Sequence, residues 1–225
     1  MNAAAKSCEP VTKISILLVD DHSVFREGMS GMINQEPDLL VRGEADGLRS
    51  ALVELKRLKP DVAVVDLSIR DGDGLELIKE IRALSPQTRV LVLSMYDEKV
   101  FAERTLRAGA MGYVMKVEAA NAVIAGIRAV HHGEIYLSPR MRAARGGTAP
   151  SSLGAGRGNL ERLTDREMQV LRCVGRGLST QEIGDELFIS GKTVETHREH
   201  IKHKLGLNTS GELLRYAIEH NRLPE

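Results

Sequence analysis

The chain has 225 residues, room for one large domain or two small ones, each able to bury a core. Hydrophobic residues at 42% and charged residues at 28% describe an ordinary soluble protein, and aromatics at 3% with no Trp exclude a stacking platform for single-stranded nucleic acid. The net charge of zero divides unevenly. Residues 1–137 carry 17 Lys/Arg against 20 Asp/Glu and residues 138–225 carry 14 against 11, the sign expected of a basic C-terminal module.

Residues 1–13 are polar and read as a flexible tail, with no apolar stretch suited to a signal peptide. Cys8 lies in that tail and Cys173 at a helical core spacing after Val170, so the pair is no disulfide framework and fits a reduced, cytoplasmic setting. No apolar run approaches the length of a membrane span.

Apolar runs at 14–19, 62–65, 89–94 and 112–115 read as strands, and residues 40–45 are a shorter strand candidate. Between and after them apolar residues recur at helical spacing. These are Val24, Phe25, Met29, Met32 and Ile33; then Leu48, Ala51, Leu52, Leu55 and Leu58, stopped by Pro60. Leu75, Leu77, Ile78, Ile81 and Leu84 follow, then Val100, Ala102 and Leu106 up to Gly109, and Ala119, Val123, Ile124, Ile127 and Val130 up to Gly133. Strands alternating with helices call for an α/β fold, a parallel sheet covered on both faces, with the flavodoxin-like order 2-1-3-4-5 a common topology.

Residues 139–159 carry Gly, Ser, Pro and Arg without sustained apolar period and read as a flexible linker. Beyond it, Thr164 with Glu167 and Ser179 with Glu182 are capping-box signatures, Ser190 can cap a third helix, and Thr209 or Ser210 opens a fourth. Four short helices in residues 160–225 make a compact all-α module.

A parallel sheet gathers its strand carboxyl ends on one edge. That edge collects Asp20, Asp21, Asp66, Ser94 and Lys116. Taken singly, Asp66 could cap a helix, Ser94 likewise, and Lys116 could be a solvated end. Jointly they form another thing. Clustered carboxylates need a cation or a proton among them, and hard oxygen ligands suit Mg²⁺. With a lysine and a hydroxyl opposite, the set becomes an electrostatic clamp for phosphoryl transfer, one carboxylate serving as nucleophile. The turn Asp71-Gly72-Asp73-Gly74 lacks calcium-loop spacing, since Leu75 stands where a ligand is needed.

Over residues 14–133 the sequence resembles the response-regulator receiver family, on Leu18-Val19-Asp20-Asp21-His22, Val64-Val65-Asp66-Leu67, Leu93-Ser94 and Gly112-Tyr113-Val114-Met115-Lys116. The resemblance implies that Asp66 accepts a phosphoryl group from a sensor histidine kinase. It implies Mg²⁺ on Asp20, Asp21, Asp66 and the Ser68 carbonyl, a switch pair of Ser94 and Tyr113, and Lys116 on the phosphoryl oxygens. Arg70 stands where the family usually has proline, which leaves that loop less rigid or charged near the active edge.

The helices at about 179–187 and 191–205 have helix-turn-helix spacing across Phe188-Ile189-Ser190. On the second, Lys192, Thr193, Glu195, Thr196, Arg198, Glu199 and Lys202 suit phosphates and base edges, or else a solvated charged face. Residues 163–167, 177–183, 190–197 and 204–206 resemble the C-terminal domain of NarL/FixJ (LuxR-type) regulators. That implies a two-component regulator with a receiver at 14–138 and a DNA-binding domain at 160–225. When phosphorylated it would form a homodimer and bind double-stranded promoter DNA, with half-sites about one helical turn apart. RNA polymerase is a further candidate partner, and the expected role is not enzymatic. Two other readings are a phosphorylation-independent DNA-binding regulator whose receiver serves only dimerisation, and a phosphatase using Asp66.

Overall fold

The computed structural model describes residues 13–96, 98–118, 120–139, 141–142, 160, 162–187 and 189–221. Strands β1 (Ile14–Val19), β2 (Leu39–Ala45), β3 (Val62–Val65), β4 (Arg89–Ser94) and β5 (Gly112–Met115) form one parallel sheet in the order β2-β1-β3-β4-β5. They alternate with helices α1 (Ser23–Asn34), α2 (Leu48–Leu58), α3 (Gly74–Leu84), α4 (Glu98–Ala108) and α5 (Ala120–His131). This is the flavodoxin-like fold expected from the alternation.

Side chains of successive strand residues point to opposite faces, and both faces are apolar. Leu17, Val19, Ala63, Val65, Val90 and Val92 pack with Ala51, Leu55, Leu77, Ile78, Ile81 and Phe101 of α2, α3 and α4. Ile16, Leu18, Val62, Val64, Leu91 and Leu93 pack with Met29, Ile33, Val123, Ile124 and Ile127 of α1 and α5. The apolar stripes were wider in sequence than in space. Val24 is 83% exposed and Leu84 50%, because each stands at the edge of a helix face that the sheet does not reach. The side chain of Val100 and all of Ala119 lie outside the described residues.

The second domain consists of α6 (Asp165–Gly175), α7 (Thr180–Leu187), α8 (Gly191–Leu205) and α9 (Ser210–Asn221). Val170, Ile183, Val194, Ile201, Leu213 and Ala217 are buried together. The caps are those the sequence marks: Thr164 and Glu167 bond reciprocally, as do Ser179 and Glu182, and Ser190 Oγ accepts from Thr193 N at 3.1 Å. For the last helix Thr209 is the cap, its hydroxyl accepting from Glu212 N at 3.1 Å. Gly184 lets the turn between α7 and α8 close, since a Cβ there would lie 2.8 Å from the Ile189 carbonyl oxygen. Phe188, expected in that turn, lies outside the described residues.

At the start of the expected linker, residues 139 and 141–142 are helical, with Arg142 N donating to Ser138 O at 3.0 Å and Met141 packed against the core. Most of the rest of 139–159 lies outside the described residues.

Candidate phosphoryl-transfer site

The carboxyl ends of β1, β3 and β5 converge as the sheet requires. Lys116 Nζ lies 2.5 Å from Asp20 Oδ2 and 2.7 Å from Asp66 Oδ2, all three side chains being almost wholly buried. Gly74 makes this possible. A Cβ on it would stand 2.3 Å from the Asp66 carbonyl oxygen, so only glycine lets α3 begin against the end of β3. Asp73 starts that helix, accepting from Leu75 N at 2.6 Å.

Burial raises the Asp66 carboxyl above the ordinary range and the Asp20 carboxylate adds to this, against the pull of Lys116 and of the Ser68 N–H. Burial alone would lower Lys116, but its two carboxylate partners overcome that and hold the ammonium charged. Asp66 Oδ1 is buried and has no hydrogen-bond partner among the described residues. An oxygen so placed is costly unless a ligand answers it. Ligand atoms of Asp20, Asp21, His22 and Asp66 all lie within 4.8 Å of one another, an acidic cluster able to hold a metal ion.

His22 was not singled out from sequence. Its backbone N–H donates to Asp20 Oδ1 at 2.9 Å, and its Nδ1 lies 2.7 Å from Asp21 Oδ1. Such a histidine is invisible to strand-end reasoning because it follows the strand by three residues. Tyr96 was missed as well, and it ties the site together. Its hydroxyl is 2.9 Å from Ser68 Oγ, its carbonyl accepts from Tyr113 Oη at 2.8 Å, and its N–H makes a long contact of 3.5 Å with Ser94 Oγ. Ser94 and Tyr113, the expected switch pair, are thus brought onto one residue rather than directly onto each other, and both are buried.

Arg70 is not a loosening of its loop. Its N–H, which proline would lack, donates to Asp46 O at 3.0 Å, its carbonyl accepts from Leu48 N at 3.1 Å, and its guanidinium lies 3.2 Å from Asp46 Oδ2. The loop after Asp66 is therefore stitched to the turn before α2.

In the second domain Lys192, Glu195, Thr196 and Glu199 are exposed on α8. Arg198 is turned inward, donating weakly to Leu178 O at 3.4 Å, and Lys202 lies 2.9 Å from Glu199. Thr193 bonds the cap hydroxyl of Ser190 at 2.8 Å.

Residues 16–128 match the response regulator receiver domain, and residues 161–217 match the bacterial regulatory proteins of the luxR family. The oxygen regulatory protein NreC of Staphylococcus carnosus is 34% identical over 92% of this chain and 97% of its own length. This chain is a LuxR-type response regulator. It is therefore a phosphorylation-regulated transcription regulator with a receiver and a DNA-binding domain. Among solved structures, RcsB from Salmonella enterica serovar Typhimurium, bound to a promoter in the presence of phosphomimetic BeF₃⁻, is similar to the regulator. It is 26% identical with a TM-score of 0.71 over 92% of this chain and 100% of that one. The response regulator ChrA of a heme-sensing two-component system is 29% identical with a TM-score of 0.50, over 92% of this chain and 97% of its own. Among the described residues of the regulator, no helix is long and apolar enough to cross a membrane.

Proposed function

We infer that Asp66 is the phosphoacceptor, and that its phosphorylation by a sensor histidine kinase controls promoter binding by the second domain. The observation that carries this is the buried Asp66 carboxylate, one oxygen held by Lys116 and the other without a hydrogen-bond partner among the described residues. In the reaction an Asp66 oxygen forms a bond to phosphorus as the phosphorus–nitrogen bond of a phosphohistidine breaks. The electron pair leaves with the imidazole, which takes up a proton. Lys116 stabilises charge on the phosphoryl oxygens, and Ser94 donates its hydroxyl to them.

Mg²⁺ would be held by Asp20, Asp21 and Asp66 with the Ser68 carbonyl, and would neutralise charge on the transferring group. Transfer is stoichiometric, so the regulator is a phosphoryl carrier rather than an enzyme. Lys192, Thr193, Glu195, Thr196, Arg198, Glu199 and Lys202 of α8 read or position DNA, and the setting is the cytoplasm. The domains divide as a tail at 1–13, a receiver at 14–138, a linker at 139–159 and the DNA-binding domain at 160–225. Relatives support the DNA reading: RcsB has been solved bound to promoter DNA and as dimers on DNA. By that analogy this regulator dimerises; RNA polymerase is a further partner we propose from its role at promoters.

Acid-labile phosphate after treatment with phosphoramidate and Mg²⁺ tests the acceptor. Incorporation at one group per chain is expected, and an Asp66→Asn variant that incorporates equally would remove the assignment. The exposure of Lys192, Glu195, Thr196 and Glu199 favours a second reading, DNA binding without phosphorylation. Equal promoter affinity before and after phosphorylation would establish it.

A further inference from the structure

The two domains meet at the phosphoryl site. Arg172 of α6 forms an ion pair with Asp73, the residue that starts α3 just after the Asp66 loop, and both side chains are nearly inaccessible. The same guanidinium lies 5.2 Å from the Tyr96 ring centre and 5.7 Å from that of Phe101. A second attachment holds the start of the DNA-binding domain, since Arg104 of α4 donates to the carbonyls of Leu160 at 2.7 Å and Leu163 at 2.6 Å. Beside the Arg172–Asp73 pair, and lined by both residues, lies a cavity of about 330 Å³. Its receiver wall includes Asp21 and Ser68, and its opposite wall includes Arg172, Cys173 and Arg176.

Two guanidiniums of the DNA-binding domain thus border a space that opens on the metal-site edge of the receiver. Burial lowers Arg172 to about 10, which leaves it charged at neutral pH, and the Asp66 carboxylate already acts on it. A phosphoaspartate carries about 1.5 to 2 negative charges. Added beside the buried Arg172, that charge is poorly screened and strengthens the attraction, with Arg176, exposed and paired with Glu186, adding a second cation at the rim. Docking here leaves Lys192, Glu195, Thr196 and Glu199 of α8 exposed, so a tighter contact does not hide the DNA-reading face.

We propose that Arg172 and Arg176 read the charge on Asp66, so that phosphorylation tightens the DNA-binding domain onto the receiver instead of releasing it. This rests on Asp66 being the acceptor. Tyr96 lies between, bonded to Ser68 and beneath Arg172, so movement of Ser94 toward a phosphoryl group is also felt at the contact. By linkage the coupling is reciprocal, and coupling energies of this kind correspond to roughly 5- to 150-fold.

Cys173 reports on the contact, because it lines the cavity and is only 3% exposed. With Cys8→Ser it is the only thiol left in the full chain. Labelling of Cys173 by a bulky maleimide is expected to slow roughly fivefold or more after phosphoramidate and Mg²⁺ treatment. Arg172→Met should take up phosphate and show no slowing. Asp73→Asn keeps an oxygen for the helix cap but removes the competing charge, so it should label faster at rest and slow by a larger factor than the parent. Should Arg172→Met fail to fold, Asp73→Asn against the parent carries the test. Faster labelling on phosphorylation, or the same ratio in every variant, would overturn the proposal. Absence of phosphate in the parent would instead remove the acceptor assignment.

Discussion

At Asp66 the chain keeps a carboxylate that does not stabilise its fold. The group is buried beside a second carboxylate, and one lysine serves both. Replacing it with asparagine removes a buried charge and leaves Lys116 paired with Asp20. We therefore expect Asp66→Asn to be at least as stable as the parent without Mg²⁺. Mg²⁺ at roughly a hundred times its dissociation constant should add about 2.7 kcal/mol to the parent and distinctly less to the variant. Thermal unfolding with and without the ion measures both. Arg70 makes a second test at this scale. Arg70→Pro loses the bond to the Asp46 carbonyl and should cost roughly 0.5–1.5 kcal/mol in urea unfolding, although the family usually has proline there. Asp66 was legible in sequence only jointly with Asp20, Asp21, Ser94 and Lys116 at the other strand ends, since by itself it could cap a helix. The stitching of Arg70 was not legible, since its partner lies 24 residues away in the turn before α2.

Among the elements, α6 and α8 are joined by a charge pair within the DNA-binding domain. Lys204 Nζ donates to Glu167 Oε2 at 2.6 Å, and the same carboxylate completes the capping box with Thr164. Burial alone would raise the Glu167 carboxyl, but Lys204 and Thr164 win and hold it below its usual 4.5. Stability from this group is therefore complete above about pH 4.5 and lost as pH falls through the lowered value. Lys204→Met should be less stable than the parent at pH 7, and the gap should shrink as pH falls below 4.5 and through the lowered value of Glu167. Urea midpoints across that range provide the check. The capping box itself was readable from Thr164 and Glu167 because its partners are three residues apart. Lys204 was not, because only the packing of α8 across α6 brings it there.

For the whole molecule, the charge asymmetry between the halves is small, and it matters only because four helices concentrate the basic half. If Lys192 contacts a phosphate, Lys192→Ala should weaken binding to specific and unrelated DNA alike. The slope of log affinity against log salt should then fall by about 0.9. A change confined to one base position would assign it a base edge instead. Arg198 is expected to respond less, since it is turned toward the Leu178 carbonyl. The polar face of α8 was legible from its residues, but that the receiver leaves Lys192, Glu195, Thr196 and Glu199 uncovered is a property of how the domains dock.

The sequence by itself determined the two domains, the strand-helix alternation, the caps and the carboxylates at the strand ends. Those features depend on periodicity and on neighbours a few residues apart, which local backbone geometry enforces. The tertiary structure alone decided that Tyr96 joins Ser68, Ser94 and Tyr113, and that Arg172 reaches Asp73 across 99 residues. The first set is gathered by the strand order of the receiver sheet and the second by the packing of one domain against the other, and neither can be read from neighbours in the chain. The strand from Val62 to Asp66 announces a phosphoryl site in sequence, and only the fold reveals that the DNA-binding domain stands at its mouth.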